Sequence, residues 1–250
     1  KSFTPALEAL LGPARSPDGP LQLPAADPES DDQRWADIAA SLQDLCERYM
    51  LALAGEAKRQ TGMDTLCLAG GVALNSVANG RLQAEGPFDQ IFVQPAAGDA
   101  GGALGAALHV SHEVLGVPRA QPQTHCFYGR GYGQDEVAGF LDDCRVRHEV
   151  FEDDDSLAAH VAARLAQGEV GGWFHGRFEW GPRALGARSI IADPRSAETT
   201  ERVNRKIKFR ESFRPFAPAV LQEEASRWFA LSGDRQDLLT PLMLSFVPVT

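Results

Sequence analysis

From Asp32 onward, apolar residues recur at steps of three and four: Trp35, Ile38, Leu42, Leu45, Tyr49 and Leu53. This spacing predicts an amphipathic helix that ends before Gly62. Thr65–Ala69 (TLCLA) then reads as a buried strand, Gly70 and Gly71 as a turn, and Val72–Asn75 as the start of a second helix. A strand that turns through two glycines into a helix leaves backbone N–H groups bare at the helix start, which suits phosphate or ribose oxygens. Taken alone the signal is weak, and a purely structural Gly-Gly turn is the better reading of these residues.

The arrangement then recurs. Gln90–Val93 reads as a strand, Pro95–Gly98 as a turn, and Asp99–Leu108 as a helix of small residues. On local sequence Asp99 is a helix cap, although a carboxylate at such a lip can also hold a metal. His109 and His112 tempt a metal reading, but no third ligand lies near them and capping or solvent exposure suits them better. Pro118–Gln123 reads as a linker and places a domain boundary near residue 120. Beyond it come Phe127–Gly133 (FYGRGYG), a helix from Gln134 to Leu141, and the acidic turn Glu152–Asp155. A helix with Leu157, Val161 and Leu165 on one face follows, and then a strand over Val170–Phe174. Glu179–Arg183 leaves a strand through a Gly-Pro turn, Arg188–Asp193 alternates as a strand, and Glu198–Ile207 makes a helix. Residues 242–250 read as lying inside a sheet. The first 31 residues, rich in Pro, Asp and Ser, read as an exposed connection or lid.

Charge sharpens this picture. The 250 residues carry a formal charge of −10, yet 183–214 holds nine basic residues against four acidic ones, so this stretch carries +5 and the rest sums to −15. A concentrated cationic stretch in an acidic chain points to a focused pocket for a small anion rather than to a nucleic-acid surface. Guanidinium groups grip phosphate bidentately and an ammonium adds a compact charge. The bland alternative is solvated charge with internal ion pairs to Asp193, Glu198 and Glu211. The chain is 44% apolar, ample for a core. It has no apolar run of about 18 residues and no secretory leader, so no membrane partner and a cytoplasmic setting are expected. The four widely spaced cysteines read as small buried hydrophobes rather than as disulfides or zinc ligands.

CLAGGVALNSVANGRL, FVQPAAGDAGGALGAAL, GRFEWGPRALGARSIIADPR and NRKIKFRESFRPFAPAVL together resemble the O-carbamoyltransferases of nodulation factors, cephalosporins and aminoglycosides. The resemblance runs from about Asp32 to the last residue. It implies an α/β chain: the second half of an actin-like ATPase-type domain, similar to the tRNA threonylcarbamoyladenosine enzymes, over 1–120. Part of a YrdC-like α/β domain would follow over 121–250. It implies that carbamoyl phosphate and ATP give carbamoyl adenylate, whose carbamoyl group passes to a hydroxyl of a small-molecule acceptor such as a sugar or aminoglycoside. By motif, Arg183, Lys208 and Arg214 match carbamoyl-phosphate-binding cations, and Gly70, Gly71 and Asn75 a nucleotide-binding turn. Asp99 matches a ligand of a divalent metal, commonly iron, with Mg accompanying ATP. This overrides the local reading of Asp99 as a cap.

Family members are more than twice this length, and the paired histidines that complete their metal site lie upstream of GGVALN. The chain has no initiating Met and is therefore expected to be an internal segment, incomplete at both sites and unable by itself to release phosphate from carbamoyl phosphate with ATP. Three other readings stay open. One is carbamoylation of a protein thiol. Another is an RNA-binding module using Phe209, Phe213 and Phe216, which the acidic remainder and the expected burial of RPFAP oppose. The last is an inactive truncated relic.

Overall fold

The computed structural model describes residues 4–15, 31–119, 123–231 and 238–250. Most of the early Pro-rich stretch and the middle of the 118–123 linker lie outside the described residues. The chain is mixed α/β and falls into two compact units, 1–42 and 43–250.

In the first unit the expected featureless connection contains a helix, α1 (Pro5–Leu11). Thr4 caps it by accepting from the Leu7 amide, and Pro5 supplies a preset φ at the first helical position, which is why so short a run is helical. The long helix α2 (Asp31–Thr61) forms where the three-and-four spacing places it and stops before Gly62, whose φ is +65°.

The second unit is built on two small sheets. Strand β1 (Thr65–Leu68) pairs in parallel with β2 (Gln90–Val93), Thr65 opposite Gln90 and Leu68 opposite Val93. Between them runs α3 (Ser76–Glu85), and after β2 comes α4 (Gly101–His109). The second helix therefore begins later than the sequence suggests. Gly71–Leu74 form a 3-10 turn, and Asn75 is the N-cap of α3, accepting from the Ala78 amide at 3.1 Å. Strand β3 (Val170–Phe174) pairs antiparallel with β4 (Arg188–Ala192). Helices α5 (Gln134–Asp143) and α6 (Asp154–Ala166) precede them. The acidic turn works as a cap, because Asp153 and Ser156 form a reciprocal capping box at the start of α6. Helix α7 (Ala197–Arg202) follows and widens into a π turn over Val203–Ile207.

The core gathers Ala54, Ala73, Leu82, Phe88, Ile91, Val93 and Ala97 with Leu239 and Leu244 from the far end of the chain. Residues 242–250 are thus not inside a sheet. Thr240–Leu242 form a 3-10 turn, and Val249 makes one isolated bridge to Phe229. The tail is fixed to α3 by polar contacts: Asn79, fully buried, donates to the Ala73 and Leu244 carbonyls at 2.8 and 2.9 Å. Gly80 is required beside it, since a Cβ there would lie 2.3 Å from the Phe246 carbonyl oxygen.

Burial corrects three expectations. Strand β1 was expected to be buried, but Thr65 and Cys67 are exposed while Leu66 and Leu68 pack on the core. On α2 the residues facing the core are Met50, Leu51, Ala54 and Ala57, whereas Leu42, Leu45, Tyr49 and Leu53 are exposed. The helix carries two apolar faces, and periodicity alone does not say which one meets the core. Of the four cysteines only Cys126 is buried, while Cys67 and Cys144 are exposed.

Candidate functional site

Two turns and one bend meet in the second unit. The β2–α4 turn is built by Gln94, whose side-chain oxygen accepts from the Ala96 amide at 2.6 Å. Gly101 lets the helix start close beneath it, because a Cβ would sit 2.4 Å from the Ala96 oxygen. The β1 turn leans on the same segment, with the Gly70 amide donating to the Ala97 carbonyl at 2.7 Å. That donor is therefore occupied rather than bare. Gly70 (φ +104°) and Gly71 nevertheless stand in open space, so their backbone can be approached closely. The Asn75 side chain, besides its capping bond, exchanges hydrogen bonds with Gln43 at 2.9 and 3.2 Å.

The bend over 179–188 is organised by a residue the sequence reading did not single out. The Glu179 side chain is wholly buried, and its Oε1 accepts from the Leu185 and Ala187 amides at 2.6 and 2.8 Å. Its Oε2 accepts from Arg188 Nε at 3.1 Å. Burial pushes this carboxyl up, but backbone amides, Leu185 foremost, then its own and those of Ala187 and Arg188, outweigh it and hold it below the usual carboxylate range. The clue available in sequence was a lone acid at the head of a cationic glycine-proline run. FYGRGYG braces the entry to the bend: Gly129 donates to the Phe178 carbonyl at 2.9 Å, and the Trp180 amide to Cys126 at 2.6 Å. Burial and the Glu179 charge push the Cys126 thiol up, so it is an inert packing group.

Gly181 brings the bend against the β2–α4 turn. Its φ is +134°, and a Cβ there would lie 2.8 Å from the Pro95 oxygen. Between turn and bend lies an open cleft of about 480 Å³, lined by Leu74, Ala96 and Gly98–Ala100 on one side and by Glu179–Pro182 and Arg188 on the other. Asp99 lines this cleft. It does not cap α4, whose N-cap is Ala100 without a side-chain bond. Arg183 reaches across the same junction, its Nη2 donating to the Leu74 carbonyl at 3.3 Å, while its Nε is buried without a partner among the described residues.

Lys208 and Arg214 do not line the cleft. They belong to a loop ordered by fully buried Asn204, which donates to the Ser212 and Arg214 carbonyls at 3.1 and 2.9 Å and accepts from Arg210 Nε at 2.7 Å. Lys208 is exposed and has no ion pair among the described residues, whereas Arg214 pairs with Glu211 at 2.7 Å. Phe209, between Lys208 and Arg210, holds a left-handed φ of +48° and is 84% exposed. RPFAP, expected to be buried, is exposed throughout, with Phe216 beneath the Arg210 guanidinium. The ion-pair reading holds for several of the nine cations: Arg195 pairs with Asp193 and Arg205 with Glu201 as well. Asp193 is held down to about 2 by the Arg195 side chain and amide.

A metal does not fit these residues by themselves. Among the described residues no three His, Cys, Asp or Glu side chains come together, so Asp99 offers a single ligand. His112 Nδ1 lies 2.7 Å from the Val117 carbonyl oxygen and is a local brace. No helix among the described residues is long and apolar enough to cross a membrane.

Comparison with known proteins matches both halves of this site. Residues 20–108 match the family model described as Carbamoyltransferase N-terminus, and 162–250 the one described as Carbamoyltransferase C-terminus. The chain is 47% identical over 206 residues to Nodulation protein NolO of Bradyrhizobium diazoefficiens, covering 82% of this chain and 37% of that protein. It is 44% identical over 218 residues to Nodulation protein NolNO of Sinorhizobium fredii, covering 87% and 32%. It is 34% identical over 210 residues to a 3'-hydroxymethylcephem-O-carbamoyltransferase of Streptomyces clavuligerus, covering 84% and 37%. The chain spans about a third of the length of these relatives. Two models of one family, matched in order and meeting across one cleft, decide the matter: this chain belongs to the carbamoyltransferase family.

Proposed function

We propose that the chain serves ATP-dependent carbamoyl transfer to a hydroxyl of a small-molecule acceptor. In this reading carbamoyl phosphate, water and ATP give carbamoyl adenylate, phosphate and pyrophosphate, and the acceptor oxygen then takes the carbamoyl group with release of AMP. The observation that carries it is the cleft itself, to which the N-terminal and C-terminal family segments both contribute walls. Arg183 at that junction would hold carbamoyl phosphate; Lys208 and Arg214, which lie outside the cleft, are assigned to the same anion by motif alone. The open space around Gly70 and Gly71 supports backbone approach by a nucleotide, with Asn75 keeping the adjoining helix start in place. Asp99 would be one ligand of a metal completed by residues beyond these, and no step is assigned to that metal.

An actin-like first part and a YrdC-like second part, divided near residue 120, belong to the same proposal. A division near residue 120 accords with the two matched segments, which leave 109–161 between them. The hydroxyl acceptor is inferred from the cephem O-carbamoyltransferase relatives. Calorimetric titration of carbamoyl phosphate into the chain tests the anion assignment. Arg183→Ala and Lys208→Ala should each weaken binding at least about tenfold, the worth of one charge-assisted hydrogen bond. Binding by both variants as tight as by the parent would refute it.

A second reading, single-stranded RNA binding, is favoured by one observation. Phe209, Phe213 and Phe216 are exposed beside Lys206 and Lys208. It requires steeply salt-dependent affinity for a single-stranded RNA, and salt-independent or absent binding removes it.

A further inference from the structure

The bend holds three side chains to which no part in ligand binding has been given: Glu179, Trp180 and Arg188, all lining the cleft. Arg188 is fixed at two points, Nε on Glu179 Oε2 at 3.1 Å and Nη2 on the Gly181 carbonyl at 2.8 Å. Its Nη1 has no partner among the described residues, and the side chain is 42% exposed. Glu179 cannot swing away, because its other oxygen is held by two backbone amides. Beside it the Trp180 indole N–H is buried and finds no acceptor among the described residues. A buried donor without an acceptor is costly, and a ligand oxygen would relieve that cost.

We infer that Arg188 and the Trp180 N–H together bind an oxyanion in this cleft, with Glu179 as the positioning residue that aims Arg188. The ligand class is a small phosphate-bearing molecule. A planar guanidinium tethered through two of its nitrogens presents the remaining edge in a fixed direction, so little rotamer entropy is lost when an oxyanion docks. The inference rests on the carbamoyl-transfer reading for the identity of the physiological anion, but the donors themselves are independent of it.

The test titrates inorganic phosphate, and separately carbamoyl phosphate, into the full chain by calorimetry and tryptophan fluorescence. Arg188→Lys, which keeps the charge and loses the fork, and Trp180→Phe, which keeps a ring and loses the N–H, should each weaken both anions about tenfold. Glu179→Gln should weaken them as Arg188→Lys does, and combining the two should add little. That non-additivity in affinity is a signature that mere loss of stability does not give. Unchanged phosphate affinity in Arg188→Lys and Trp180→Phe overturns the inference even if Glu179→Gln fails to fold, and so does a parent chain that binds neither anion. If those two variants bind normally while Arg183→Ala and Lys208→Ala do not, this inference falls and the carbamoyl-phosphate assignment stands. The converse result removes that assignment and keeps the donors.

Discussion

Glu179 gives the bend its shape through three bonds to one buried carboxylate, and removing it strands two amides and a guanidinium. Breaking such a pair from one side costs about 3–5 kcal/mol, so Glu179→Ala should lower unfolding stability by an amount in this range, read by denaturant titration. Its acidity makes a second expectation. The folded value lies below that of an unfolded glutamate, about 4.3. Its contribution is therefore complete above that pH and is lost as pH falls through the folded value. The stability gap between parent and Glu179→Gln should stay constant from about pH 7 to pH 5 and close below about pH 4. A gap that widened in acid would contradict the assigned ionisation. At Gly181, Ala would have to hold a φ of +134° with its Cβ 2.8 Å from the Pro95 oxygen. Gly181→Ala should cost about 1–3 kcal/mol and disturb the cleft, visible as weakened anion binding as well as a lowered melting temperature.

At the scale of elements, α2 and α3 show what alternation and spacing can and cannot tell. The recurrence through Leu42, Leu45, Tyr49 and Leu53 locates α2 correctly, yet the core uses Met50, Leu51, Ala54 and Ala57. A helix with small alanines on one side and large residues on the other has no unique inner face until its neighbours are known. Substituting Leu45 and Tyr49 by Lys should change stability by less than about 0.5 kcal/mol each. Leu82→Ala, deep in the core, should cost about 2–5 kcal/mol. Equal losses at the two sites would mean that the exposed stripe is covered. The strand-glycine-helix turns were legible because glycine and small-residue runs have few other uses. The start of α3 differs from the expected Val72, because Gly71–Leu74 can begin an α-helix or close a 3-10 turn, and only the Asn75 bond to Ala78 separates the two.

At the scale of the whole molecule, two relationships carry the account, and both join residues far apart in the chain. Leu239 and Leu244 complete a core begun by Ala73 and Val93, and Gly181 and Arg183 meet Pro95 and Leu74 across the cleft. Neither relation has a local signature. The cationic run was legible as a stretch but not as a pocket, since pairing within it ties down Arg195, Arg205 and Arg214 and leaves Arg183, Lys206 and Lys208 without carboxylate partners among the described residues. Amide hydrogen exchange of the chain with and without carbamoyl phosphate tests the joint cleft most directly. Binding should slow exchange together in 96–102 and in 179–188, the two walls contributed by the N-terminal and C-terminal family segments. Protection confined to 203–216, or to one wall alone, would contradict a single site shared by both.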